Sequence, residues 1–147
     1  EPLEGPLAAE RTMIMNAKKA GLMVSGVATQ KYMMALQDQQ EVMGAMADMI
    51  TEVYAMESAV LRAHKLIVKN GEASSENAVN MTRVYLATSI DKVESAAKKV
   101  LAACAEGDML RTQMTILRRL FKNEPIDSIT LRQKIATKVI EAGKYVM

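Results

Sequence analysis

Prolines restrict this chain more than any other residue. There are three, Pro2, Pro6 and Pro125. The whole stretch between Pro6 and Pro125 is therefore free of the one residue that removes a helical hydrogen bond and clashes with the preceding turn. No apolar–polar alternation of the kind a half-buried strand needs persists for six positions in that stretch, so helix is the default reading. The expected fold class is all-α: an antiparallel up-and-down bundle of four to five helices.

Helix boundaries follow from the remaining punctuation. Gly5 and Pro6 place the first helix start near Leu7, with Pro6 at the first helical position, and the pattern continues to about Met34. Gly21 and Gly26 lie inside it. Each costs up to ~1 kcal/mol relative to alanine, which calls for close packing against a neighbour or a bend. In the second helix Val42, Met46, Met49, Val53, Met56, Val60, Ala63 and Ile67 alternate steps of four and three and so share one stripe. A second stripe, Met43, Ala47, Ile50, Tyr54, Leu61 and Val68, widens the apolar arc and predicts burial over much of the circumference. Asn70-Gly71 ends this helix after about 34 residues, roughly 50 Å of rise.

Ser74 or Ser75 is the expected cap of a third helix, with Val79, Leu86, Ile90, Val93, Ala97, Val100 and Cys104 inward, Lys98 and Lys99 outward, and Gly107 as its stop. Asp108 is the expected cap of a fourth, bearing Leu110, Met114, Leu117 and Phe121 and closed by Asn123-Glu124-Pro125. Asp127 caps a fifth, flanked by Ile126 and Leu131 at the positions of a hydrophobic staple, and this helix runs to about Gly143. No long linker or internal repeat divides the chain, so residues 1–147 read as one helical domain. Its sequence opens at Glu1 with neither an initiator methionine nor a signal-like segment, and it reads as an excised piece of a larger protein.

Thirteen methionines stand against no tryptophan and one phenylalanine. Methionine and alanine must therefore fill the core, and the methionine-rich first half also has the pliability of a docking surface. Half of the residues are hydrophobic, which excludes a disordered chain. The single cysteine, Cys104, excludes an internal disulfide. No apolar run reaches the ~18 residues of a membrane span.

Catalytic constellations are sparse. A di-iron bundle needs Glu-x-x-His pairs converging from several helices, and His64 is the only histidine, with Leu61 three residues before it. Glu57, seven residues before His64, breaks an apolar stripe and is read first as a carboxylate paired with a lysine or arginine on a neighbouring helix. Cys104 sits on an apolar stripe as a small hydrophobe. No nucleophile stands with His64 and an orienting acid, and Gly21 and Gly26 lack the strand–turn–helix setting of a phosphate loop. No catalytic, cofactor-binding or metal-ligating residue is assigned.

Charge is uneven. Residues 108–147 carry net +4, while residues 1–107 sum to −2. Arg118, Arg119 and Lys122 beside Leu117, Leu120 and Phe121 give an amphipathic mix suited to an anionic membrane surface or an acidic partner. The competing reading is a solvated helix face whose apolar side packs inward. Nucleic acid is excluded as a partner because stacking aromatics are missing.

The stretch from Gln39 to Ser58 resembles a helix of the acyl-CoA dehydrogenases. Within it, Ala47-Asp48-Met49 followed by Tyr54-Ala55-Met56-Glu57-Ser58 is similar to the extra C-terminal domain of the very-long-chain acyl-CoA dehydrogenase group, and the order of helices that follows is similar over most of residues 7–145. The resemblance implies a flavin-dependent parent acting in fatty-acid β-oxidation, in which a glutamate base removes the pro-R α-hydrogen of an acyl-CoA and FAD accepts the β-hydride. The tyrosine-glutamate-glycine-threonine segment that carries that base, and the segments that bind FAD and thioester, are absent, so no catalytic residue carries over. For this piece the resemblance implies a non-catalytic helical appendage on the catalytic core of the same polypeptide. Its implied roles are homo-oligomer assembly, as a dimer, and peripheral membrane association in the cytoplasm or at the mitochondrial inner membrane. A free-standing helical interaction module is the alternative.

Overall fold

The computed structural model describes residues 4–147. Pro2 lies outside them. Five helices follow in order: α1 (Ala8–Tyr32), α2 (Gln40–Asn70), α3 (Glu76–Cys104), α4 (Gly107–Leu120) and α5 (Ser128–Ala142), with 3-10 segments at Met33–Asp38 and Ala73–Ser75. No strand occurs among the described residues.

Cross-helix pairs fix the directions. Lys18 meets Glu57 while Ile14 and Val60 line one groove, so α1 and α2 are antiparallel. Glu52 meets Lys92 and Thr82 lies against Ala59, making α2 and α3 antiparallel as well. Glu10 with Arg83 and Tyr32 with Ala103 set α1 parallel to α3. Asn77 donates to the carbonyl of Val146 and Glu76 holds Lys138, which folds the α5 end of the chain back along α3. Helix α3 is central, touching α1, α2, α4 and α5.

The core forms where the predicted stripes converge. The inner α2 stripe is buried or half-buried throughout, and on α3 every predicted inward residue is buried except the half-buried Val79. Ala17, Ala20, Ala28, Ala63 and Ala97 are among the most enclosed residues. Their short side chains let helix axes approach closely, which is how a chain nearly free of aromatics reaches native density. The methionines divide: Met13, Met49 and Met56 are core, Met23 and Met46 pack at its edge, and Met15, Met33, Met34 and Met43 face outward.

Several boundaries differ from the sequence reading. Pro6 precedes the helix, because Leu7 takes a left-handed conformation (φ 60°) as N-cap and buries its side chain. Helix α1 stops at Tyr32, two residues early, where Met33 turns to φ 49° and the chain tightens into a 3-10 segment. Ser75 stands at the α3 cap position but makes no capping bond, since its φ −104°, ψ 4° is not the extended geometry from which a cap hydroxyl reaches back. Gly107 does not stop α3. That helix ends at Cys104 with Ala105 extended, and Gly107, at φ +54°, opens α4 instead. Asp108 consequently lies in the first turn of α4, where it pairs with Arg111 rather than capping.

Other signals hold. Gly71 (φ +84°) releases α2 and Gly143 (φ +62°) releases α5. Asp127 accepts the Thr130 backbone N–H at 3.0 Å, and that bond holds its carboxyl below the usual range.

Candidate functional site

At the basic end, Arg118 and Arg119 occupy the last turn of α4 and Lys122 follows it. All three are exposed, and none enters an ion pair among the described residues. Their expected apolar companions point elsewhere. Leu117 is fully buried, and Leu120 and Phe121 pack against the core. That stripe packs onto α1 and α3, which favours the solvated-face reading over the amphipathic patch: the cations stay outside while Leu117, Leu120 and Phe121 turn inward.

Glu57 accepts from Lys18 of α1, the cross-helix pairing expected of it. His64 is half-buried, and no cluster of three potential metal ligands occurs among the described residues. Cys104 is buried, and burial pushes its thiol pKa up against the opposing pull of Lys31 and Tyr32, making it unreactive.

Three further cross-helix ion pairs escaped the sequence reading. Arg83 of α3 donates to Glu10 at 2.6 Å, and Glu10 is buried. A signal existed, because Glu10 continues the three-four spacing of Met13, Ala17, Ala20 and Val24 onto the inward face. Glu52 accepts from Lys92 (2.8 Å) and from the Tyr85 hydroxyl (3.3 Å). The Lys92 bond in particular holds the Glu52 carboxyl below its ordinary value and raises the lysine. Lys138 donates to Glu76 at 2.8 Å across α3 and α5. Pairs of this kind depend on which helices meet, which no single-helix pattern contains.

The largest departure is on α2. Its second apolar stripe is not buried: Ile50, Tyr54 and Leu61 are 65%, 72% and 63% exposed, and Met43 and Val68 are exposed with them. Met15 and Leu22 of α1 extend the same surface. Between the two helices runs a groove of about 410 Å³, floored by Ala17, Gly21 and Ser25 and walled by Leu22, Ile50 and Tyr54. A Cβ placed on Gly21 would meet nothing within 4 Å. A second apolar cleft, about 730 Å³, lies between α3 and α5 and is lined by Val84, Ile135 and Val139 among others.

Comparison with known proteins places this architecture. Residues 16–119 match the family described as acyl-CoA dehydrogenase, C-terminal domain. A probable acyl-CoA dehydrogenase of Bacillus subtilis (strain 168) is 37% identical over 145 residues, covering 99% of this chain and 24% of that protein. A crystal structure of acyl-CoA dehydrogenase complexed with FAD from Bacillus anthracis superposes with a TM-score of 0.96 at 39% identity, over 100% of this chain and 25% of the other. The chain thus spans about a quarter of the length of the relatives it matches. With the family matched over most of the helical core and the fold reproduced over the whole chain, this protein belongs to the acyl-CoA dehydrogenase C-terminal domain family.

Proposed function

We propose that residues 1–147 are one helical unit at the C-terminal end of a longer, FAD-dependent acyl-CoA dehydrogenase of the very-long-chain group. The parent's activity is α,β-dehydrogenation of fatty acyl-CoA, and this unit serves assembly rather than chemistry. The observation that carries the reading is the whole-chain match in sequence and fold to one quarter of an FAD-complexed acyl-CoA dehydrogenase. The segment Ala47-Asp48-Met49 with Tyr54-Ala55-Met56-Glu57-Ser58 supports the subgroup.

The cleft between α2 and α3 does not suit FAD. That cleft, of about 740 Å³, presents Asp48, Glu52 and Asp91 against Lys92 and Lys99. Lys92 is already held by Glu52. An acidic cleft of that kind repels a diphosphate. The flavin and the thioester belong to the rest of the polypeptide.

The test is made on the protein expressed from the complete reading frame. It is expected to carry flavin absorbance and to reduce an electron acceptor with long-chain acyl-CoA, and its oligomeric state is expected to change when residues 1–147 are deleted. A reading frame without a dehydrogenase core overturns the proposal. A second role, peripheral contact with an anionic membrane, is favoured by the exposed Arg118, Arg119 and Lys122, which make no ion pair among the described residues. With Leu117, Leu120 and Phe121 turned inward, such contact is electrostatic. Charge reversal of Arg118 and Arg119 is therefore expected to release the full-length protein from anionic vesicles, and equal sedimentation of mutant and wild type overturns it.

A further inference from the structure

We infer that the exposed α1–α2 face is the surface on which the remainder of the same polypeptide seats, and that the seating element is an apolar helix lying in the α1–α2 groove. This rests on the proposed place of the chain within a longer dehydrogenase and adds which face is used and what covers it.

The face is long and one-sided, interrupted by the Lys18–Glu57 pair. Met43, Ile50, Tyr54, Leu61 and Val68 recur at seven- and four-residue steps, so they form a single ridge roughly 37 Å long on α2 at 1.5 Å per residue. Met15 and Leu22, seven residues apart on α1, run alongside. A monomer rarely leaves so long an apolar strip to water, and such strips mark places where another protein surface belongs. Two antiparallel helices with a trough between them offer the groove into which the side-chain ridge of a third helix packs.

Gly21 gives a separate indication. Inside a helix it costs up to ~1 kcal/mol relative to alanine. Within this chain that cost has no local return, since nothing approaches the place its Cβ would occupy. It sits on the groove floor between Ala17 and Ser25, where the absence of a side chain lets a crossing helix come close.

Charge and length select the occupant. The groove's two ionised groups, Lys18 and Glu57, neutralise each other, so the face offers nothing specific to an anionic lipid, a nucleic acid or a charged peptide. About three quarters of the length of the relatives lies outside the region matched here. A body joined to this domain by the backbone meets the groove at an effective concentration in the millimolar range, which outcompetes a second copy at ordinary protein concentration.

The experiment uses the full-length polypeptide with single substitutions Ile50→Cys and Leu61→Cys, and Lys99→Cys on the solvent side of α3 as reference. Maleimide labelling is followed site by site through peptide mass. The two face positions are expected to label at least about tenfold more slowly than position 99, at a ratio unchanged by dilution. Equal rates overturn the inference. Protection that disappears on dilution also overturns it, by assigning the face to a second copy. Flavin content and acyl-CoA oxidation of the same samples report on the parent reading separately: an active flavoprotein with freely labelled face positions retains that reading and loses this surface.

Discussion

Helix α2 carries two apolar stripes about 100° apart, and they meet different fates. On the inner one Met49, Met56 and Val60 are at most 2% exposed, enclosed by α1 and α3; on the outer one Ile50, Tyr54 and Leu61 stand mostly in water. Composition does not separate them, since both are built from large aliphatic or methionine side chains with one tyrosine on the outer. What separates them is the number of neighbours this chain can supply. Three long helices give each member two partners, and α2 spends one arc on both of them. The outer stripe is apolar without a partner among the described residues. Hydrophobicity in a sequence therefore marks a face suited to burial without naming what buries it.

Core truncation gives the largest contrast. Met56→Ala removes a fully buried side chain and is expected to lower unfolding stability by about 2–5 kcal/mol. Tyr54→Ala, two residues away on the outer stripe, is expected to change it by less than about 0.5 kcal/mol in this chain. Denaturant titration of both variants makes the comparison. A Tyr54→Ala loss as large as that of Met56→Ala breaks the distinction between the stripes.

The two ion pairs of α1 repeat the contrast in charge. Arg83→Ala strands the buried Glu10 carboxylate and is expected to cost about 1–3 kcal/mol, reduced from the full buried-pair value because Arg83 is itself partly in water. Lys18→Ala removes the partner of Glu57 where both groups are about two-fifths exposed, and is expected to cost under about 1 kcal/mol, shrinking in high salt. Salt-dependent melting curves separate them.

Much of this architecture was legible before any coordinates, and the misses have a common physical cause. The inner stripes of α2 and α3, the Gly71 and Gly143 exits and the Asp127 cap follow from spacing and local backbone chemistry, which a sequence carries directly. Periodicity finds an apolar face but is silent on what opposes it. That is why the outer α2 stripe reads as buried, and why spacing alone leaves Leu117, Leu120 and Phe121 open between an amphipathic patch with Arg118 and Arg119 and inward packing on the bundle. Ser75 and Asp108 failed for a smaller reason. Each is a good capping residue: Ser75 keeps the cap position but leaves the 3-10 lead-in without the extended geometry a cap needs, and Asp108 is displaced by two positions because Gly107 opens α4. The candidate site was the least legible part, because a docking face is defined by its uncovered state, and only tertiary structure reveals that.

The pH dependence tests the α2–α3 seam. Glu52 is held below its ordinary pKa chiefly by the Lys92 hydrogen bond. Its contribution is therefore complete above the unfolded value, near ~4.3, and is lost as pH falls through the lower folded value. Lys92 is raised, so its contribution is complete below its unfolded pKa and is lost as pH rises through the folded one. Glu52→Gln is expected to flatten both flanks of the melting-temperature profile, acidic and alkaline, and an unchanged profile removes the pair from the seam.

Gly21→Ala has the smallest effect and distinguishes the two sides of the molecule most sharply. In this chain the added methyl meets nothing and the helix gains conformational restriction, so the variant is expected to be more stable by about 0.4–1 kcal/mol. In the full-length polypeptide the same methyl stands on the groove floor, where an incoming helix must approach closely. There the gain is expected to vanish or reverse, with faster labelling at Ile50→Cys when the two substitutions are combined. A stabilisation of equal size in both contexts means that nothing packs over Gly21 and that the uncovered stripe of α2 is uncovered in the whole protein as well.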